Sequence, residues 1–430
     1  MKTQKRTFVM LVAAMILGYL PWYNFSAVLP YLAQEFDLTS SQTGYILSAF
    51  QAGYVVVVLI TGKLADMIGP KKVAAWATLL TAVSATLFVW LAQGFTSILV
   101  LRLLTGLSAG AIYVPGMAIL ANWFPPGRRG RVIGGYTAAL TLAYAGGYFV
   151  AAPLASAFGW KTGMMATSLP AFVAAWVMFS LVEEKPSVDQ RIDMGWGLPD
   201  KAAPAQPSDN KILPSPKGGY KGPVTITVGY MGHMWELYAF WGWIGPFMVA
   251  SALAAGLPQM EAVALGGRLA AMIIMLGAPA VYLCGIIADK VGRIKTILVC
   301  AVFSLAGQFV LGHLYGRSLA LVTVTGLWIG FWVVADSGIF KAGLTEMTDV
   351  SIRATALGVQ SAFGYFMTIL SPSIFGKVLE TINPGLTDPT QAIRWGLPFA
   401  MLGFGALLVP VAMMVLNRLP QAALMAEGRK

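Results

Sequence analysis

Cysteine and histidine are almost missing from this chain, with two of each in 430 residues. Cys284 and Cys300 both fall in apolar runs, which argues against a disulfide framework. His233 and His313 are too far apart in sequence to suggest a metal pair, and no His-Glu-x-x-His pattern occurs. No resident metal and no cofactor is expected. Charge is scarce too: Asp, Glu, Lys and Arg make up 11% of the residues, against about 25% in soluble domains. No Gly-x-x-x-x-Gly-Lys-Ser/Thr loop is present, which excludes an ATP-driven mechanism. The run Gly106-Leu107-Ser108-Ala109-Gly110 matches the serine-hydrolase elbow in letters alone. That elbow needs a strand–turn–helix setting, and here the run is mid-helix. Small residues at such spacing pack membrane helices. Enzyme chemistry is not expected.

What the chain has in abundance is apolar sequence. Hydrophobic residues make up 57% of it, with mean hydropathy +0.71. Runs of about 20 apolar residues, the length that crosses a bilayer core, recur along its whole length. They lie near 8–32, 43–62, 73–92, 97–121, 132–156 and 163–182, then near 223–249, 263–287, 296–315, 319–343, 355–379 and 394–417. The start, Met1 to Arg6 and then a long aromatic-bearing run, mimics a signal peptide but has a poor cleavage site at Ser26-Ala27-Val28, and reads as a retained first helix. The expected class is an all-α membrane protein with twelve transmembrane helices. Residues 1–182 form an N-terminal six-helix bundle and 223–430 a C-terminal one. Between them 183–222 is charged as far as Lys201 and then rich in proline and glycine, and reads as a linker that could hold a short surface helix.

Net charge is +11, which membrane topology explains without nucleic acid. Lys63, Lys71, Lys72, Arg128, Arg129, Arg131, Lys290, Arg293, Lys295 and Arg353 all fall in one set of short loops. Lys2, Lys5 and Arg6 at one terminus and Arg418, Arg429 and Lys430 at the other join that side when the span count is twelve. The opposite loops hold little beyond Lys161 and Arg317. Basic residues are retained on the cytoplasmic side, so both termini and the linker are expected there.

One signature occurs twice, about 220 residues apart: Gly62-Lys63-Leu64-Ala65-Asp66-Met67-Ile68-Gly69-Pro70-Lys71-Lys72 and Gly285-Ile286-Ile287-Ala288-Asp289-Lys290-Val291-Gly292-Arg293-Ile294-Lys295. Each copy joins two apolar runs. A repeat on this scale in so hydrophobic a chain points to a duplicated membrane bundle, the plan of many secondary transporters. The glycines allow tight turns and close backbone approach. The carboxylates of Asp66 and Asp289 can pair with cations or a helix N-terminus, in contacts that break when two halves rock. Lys71, Lys72 and Arg293 could instead merely set topology.

The paired signature resembles the loops between helices 2 and 3 and between helices 8 and 9 of the major facilitator superfamily. The resemblance covers essentially the whole chain, except that Pro70 stands where the family has Arg or Lys. It implies two pseudo-symmetric six-helix bundles and transport of a small molecule by alternating access. The central cavity would be lined by helices 1, 4, 7 and 10. A looser resemblance runs to the oxalate–formate, monocarboxylate and nitrate porter branches. A transport-inactive membrane sensor would share the fold. The expected partners are a small-molecule substrate, protons and the lipid bilayer. The chain is read as a monomer in a bacterial inner membrane.

Several polar or broken features fall on those four helices. Helix 1 has Pro21, Trp22, Tyr23 and Asn24 near its middle, and Pro21 predicts a kink. Helix 4 has Val114-Pro115-Gly116, a similar break, and Arg102, which resembles the family's helix 4 arginine motif. A buried guanidinium needs partners, so Arg102 would touch an anionic substrate, couple to a proton carrier, or clamp helix carbonyls. Helix 7 carries His233 and Glu236 three residues apart, near midmembrane and on one face. Such ionisable groups mark proton paths or form structural hydrogen bonds. Gly242, Gly245 and Pro246 should weaken the outer part of helix 7 as a gate requires, while Trp235 and Tyr238 read as lipid-facing or packing residues. Helix 10 adds Trp332, Asp336, Ser337 and Lys341. Arg268 and Lys377, near the outer ends of helices 8 and 11, could attract an anion or snorkel to headgroups. Helix 5 lacks a clear Gly-Pro antiporter pattern, which favours symport or uniport. Proton-coupled symport of a small anionic metabolite is the expectation, with efflux of amphipathic compounds by proton antiport as the alternative.

Overall fold

The computed structural model describes residues 2–124, 126–187, 190, 219–349 and 352–429. Among these no strand occurs, and twelve helices are long and apolar enough to cross a membrane. They are α1 (Thr3–Phe36), α2 (Ser40–Ile68), α3 (Pro70–Leu91), α4 (Phe95–Trp123), α5 (Gly135–Phe158), α6 (Trp160–Ser180), α7 (Lys221–Ala254), α8 (Gln259–Val291), α9 (Arg293–Leu314), α10 (Leu319–Met347), α11 (Thr355–Ile382) and α12 (Gly396–Arg418). In hydrocarbon every backbone amide must be satisfied within the protein, which a helix does along its own length. Each expected apolar run falls on one of these helices, its ends shifted by a few residues. Most of 183–222 lies outside the described residues, including the expected surface helix, as do the side chains of Arg128, Arg129 and Arg131.

Local chemistry sets the helix ends. Thr39 and Gln42 form a capping box at the start of α2: Gln42 N donates to Thr39 Oγ1 at 3.3 Å and Thr39 N to Gln42 Oε1 at 3.0 Å. The two signature loops turn on Gly69 (φ 94°) and Gly292 (φ 116°), left-handed positions that suit glycine alone. Each glycine ends one helix and starts the next. Gly62 and Gly285 were expected to allow close approach, yet no neighbour stands within reach of an added Cβ at either. The close approach falls instead on the run near Gly106. There α4 meets α2 backbone to backbone, with Gly110 against the Tyr54 carbonyl and Gly53 against Leu107 N. The run is a packing stripe, as its small residues imply.

Breaks fall where polar groups need the backbone or the chain bends. α1 is interrupted between Tyr19 and Asn24, around Pro21. α4 breaks at Gly110–Ile112, one turn before the expected Val114-Pro115-Gly116. Pro115 sits in the first turn of the following segment, where a missing N–H costs little. α10 breaks at Asp336. α7 does not break: it runs unbroken through Gly242, Gly245 and Pro246, contrary to the gate expected there. Those residues pack instead. Gly245 lies against the Tyr148 ring and Gly242 against Leu47, and α7 is buried along nearly its whole length, so its neighbours hold it straight.

Twelve alternating spans bring both termini to one end of the bundle. At the other, far end the helices before and after the linker region meet in a tight seam. Ser48 and Ser373 hydroxyls lie 2.7 Å apart, Ser41 N donates to Glu380 at 2.9 Å, and the Tyr148 hydroxyl donates to Trp241 O at 2.8 Å. Gln259 reaches Gln34 at 3.3 Å. A Cβ on Gly44 would stand 2.5 Å from the Pro372 carbonyl. At the terminal end α2 exposes Leu59, Ile60 and Leu64, and α11 exposes Val359 and Phe363. The seam is closed at the far end.

Candidate functional site

The break in α1 leaves carbonyls without helical donors, and Arg102 supplies them. Its Nη1 donates to Pro21 O at 3.0 Å and Nη2 to Trp22 O at 2.7 Å. The guanidinium lies 4.3 Å from the Phe50 ring centroid, close enough for a cation–π contact. Of the three expected roles for Arg102, the structure places the clamp directly. A planar fork spans two carbonyls and a lysine ammonium does not. Arg102→Lys should therefore lose one charge-assisted bond, about 1–3 kcal/mol, and lower the unfolding midpoint of purified protein. An unchanged midpoint would show that the clamp carries no stability.

Around this clamp the structure assembles an aromatic cluster that sequence reading missed. Trp22 is its centre, with ring centroids 4.7 Å from Tyr54, 4.8 Å from Tyr144 and 6.4 Å from Tyr238. Tyr365 closes it, 5.5 Å from Tyr54 and 6.3 Å from Tyr238, and Trp241 stacks edge-on at 5.3 Å from Tyr144. The cluster joins α1, α2 and α5 to α7 and α11 across the seam. Tyr238, expected to face lipid or merely pack, belongs to it. Trp235 does pack peripherally, against Gly405 and the Met401 carbonyl of α12. Aromatic residues are common in membrane helices, so nothing in the sequence marked these rings as convergent.

Within the cluster a small cavity is lined by Trp22, Tyr23, Leu47, Phe50, Gln51, Arg102, Tyr238, Gly242 and Pro372. Among the described residues, Trp22 Nε1, the Tyr23 hydroxyl, Arg102 Nε and Gln51 Oε1 are buried without a hydrogen bond. Each such group costs about 1–3 kcal/mol while unpaired. Three unmet donors and one unmet acceptor at one cavity are open to a polar partner.

A second polar cluster lies between α7, α9 and α10. His233 Nδ1 is 2.9 Å from Asp336 Oδ1, and its Nε2 is 2.7 Å from Ser337 Oγ. Glu236 accepts from Ser304 of α9 through both oxygens at 3.2 Å. All three ionisable groups are buried. His233 and Glu236 share a face of α7, yet they point into different grooves and make no direct pair. Asp336 sits at the break of α10. Trp332 stacks on Phe303, away from the seam.

Other expected site residues lie elsewhere. Asn24 Nδ2 donates to Thr167 Oγ1 of α6 at 3.0 Å, within its own half. Arg268 and Lys377 are exposed, and neither lines the central cavity. The signature loops differ. Arg293 binds Asp289 and holds Glu346 at 2.8 Å, and Glu346 also accepts Ala426 N at 2.9 Å. In the other copy Asp66 is exposed and makes no hydrogen bond or ion pair among the described residues, while Glu184 accepts Lys71 N at 3.3 Å. Among the described residues neither Lys71 nor Lys72 pairs its ammonium.

A bundle of twelve spanning helices with a buried polar and aromatic centre is an integral, multi-pass membrane protein of the transporter type. The chain belongs to the Major Facilitator Superfamily, whose sequence profile matches residues 11–372. It is 23% identical over 404 residues to a hexuronate transporter of Bacillus subtilis, covering 88% of this chain and 89% of that one. It is 24% identical to a phosphoglycerate transporter protein of Salmonella typhimurium, covering 89% and 85%. Its fold resembles a bacterial homologue of the human lysosomal transporter Spinster in an inward-facing and occupied conformation, with TM-score 0.75 and 13% identity, covering 97% and 98%. These are transporters of small molecules and not enzymes.

Proposed function

We propose that the protein is a proton-coupled symporter for a small anionic metabolite. It works by alternating access in a bacterial inner membrane, with both termini in the cytoplasm. Residues 1–182 and 223–430 rock as two bodies joined by the linker 183–222. The observation that carries the anion is the cavity where Arg102 Nε, Trp22 Nε1 and the Tyr23 hydroxyl are all unpaired donors. Hexuronate and phosphoglycerate, named for two relatives, are both carboxylates, which agrees. The proton reading rests on Glu236 and Asp336, buried acids next to the hinge of α10. The basic loops favour a cytoplasmic terminal end, which makes the closed far seam the outer one.

Uptake of radiolabelled carboxylates into proteoliposomes tests this reading. At least one should accumulate uphill when the outside is acid, and collapse of the pH gradient should release it. Carboxylate uptake that ignores the gradient would remove proton coupling. Absence of carboxylate transport, with amphipathic cations extruded instead, would favour antiport. One feature favours that second reading: an apolar groove lined by Val224, Val228, Met231, Leu344, Val359 and Phe363 at the terminal end.

A further inference from the structure

Resting on the anion reading above, we infer that the substrate is a small aromatic monocarboxylate, held carboxylate-first against Arg102 with its ring among Trp22, Tyr144 and Tyr238. The head site is built. Arg102 Nε, Trp22 Nε1 and the Tyr23 hydroxyl border one small cavity, all buried and all lacking a hydrogen bond. No acidic side chain lines that cavity. Three donors, one of them cationic, select an anion and repel a cation. As it stands the cavity has room for about one water, so the carboxylate enters only as the surrounding rings part.

The body of the ligand follows from what surrounds the head. Trp22 has Tyr54 and Tyr144 at 4.7 and 4.8 Å and Tyr238 at 6.4 Å between centroids. These are faces and edges for a planar ring, at the spacing of stacked and edge-to-face pairs. A polyhydroxylated acid fits poorly. Each of its hydroxyls needs a partner once buried; at the cavity Gln51 Oε1 is a single open acceptor, and other amide and acid groups nearby are engaged. Asn24 donates to Thr167, Glu236 accepts from Ser304, and Asp336 faces His233. A hydroxyl left unpaired here would carry its full desolvation cost. The rings of Trp22, Tyr54 and Tyr238 part to admit the ligand and then close on it, which ties occupancy to the seam those residues span.

The test uses full-length protein with benzoate as probe, and cyclohexanecarboxylate, glucuronate and benzylamine for comparison. Binding is read from tryptophan fluorescence and from the shift in unfolding midpoint, and transport from benzoate counterflow in proteoliposomes. Benzoate should bind at least ten-fold more tightly than each of the other three and should exchange across the membrane. Tyr23→Phe removes one donor and should weaken benzoate at least five-fold. Tyr238→Leu keeps bulk, removes a ring and should weaken benzoate more than cyclohexanecarboxylate, a pattern that a merely destabilised variant would not give. Tighter binding and counterflow of glucuronate would overturn the aromatic body and leave the anion reading standing. Binding of benzylamine alone would overturn both, and binding of none of the four would overturn the aromatic assignment.

Discussion

Glu236→Gln should abolish gradient-driven accumulation of substrate while leaving counterflow within a few-fold of wild type. Glu236 is buried on α7 and held by Ser304. Among the described residues its side-chain partner is that one hydroxyl, so a proton can occupy the carboxyl in one state of the bundle and leave it in the other. Glutamine mimics the protonated acid permanently. Substrate exchange needs no net proton movement and survives; uphill uptake needs a proton released on the other side and fails. Both assays run in the same vesicles under the same load. Loss of both activities would assign Glu236 to structure or substrate binding. Retention of both would leave the Asp336–His233 pair, 2.9 Å apart at the α10 break, as the proton carrier.

Gly44→Leu should trap the protein with its far end open and reduce transport at least ten-fold. At Gly44 the α2 backbone touches α11, and an added Cβ would stand 2.5 Å from the Pro372 carbonyl and 3.0 Å from Ser373 Cα. Two backbones cannot yield as a side-chain tip can, so the seam must part. In the opposite state α2 and α11 are apart at this end and leucine fits. A cysteine placed at Gln51, buried in the closed seam, should then react with a membrane-impermeant thiol reagent added from the far side. Unchanged labelling and wild-type transport in Gly44→Leu would show that this contact does not govern closure.

The spans, their number and the break at Pro21 were legible in sequence because they follow from hydropathy and from the missing N–H of proline. The turning glycines Gly69 and Gly292 were legible as well, since their repeat marked them. Long-range partners were not. Arg102 meets Pro21 and Trp22 carbonyls about eighty positions away, and no local spacing encodes that. His233 and Glu236 looked like one pair because they share a face. In a packed bundle each side chain enters its own groove, so one meets α10 and the other α9. Pro246 looked like a gate because proline breaks isolated helices; a helix buried on all sides holds its course. The tyrosine and tryptophan cluster was invisible because apolar burial and ring convergence leave the same letters in a membrane helix.

Cross-linking of the far seam tests alternating access most directly. Ser48 and Ser373, on α2 and α11, place their hydroxyls 2.7 Å apart, so cysteines at both positions can bridge when this end is closed. The natural Cys284 and Cys300, both buried, are replaced by alanine in that background. Rocking about a central site predicts that oxidation forms the bridge, stops counterflow by at least ten-fold, and that reductant restores it. Counterflow at the reduced rate through a fully bridged protein would mean that the far end need not open, and alternating access between these two halves would be contradicted.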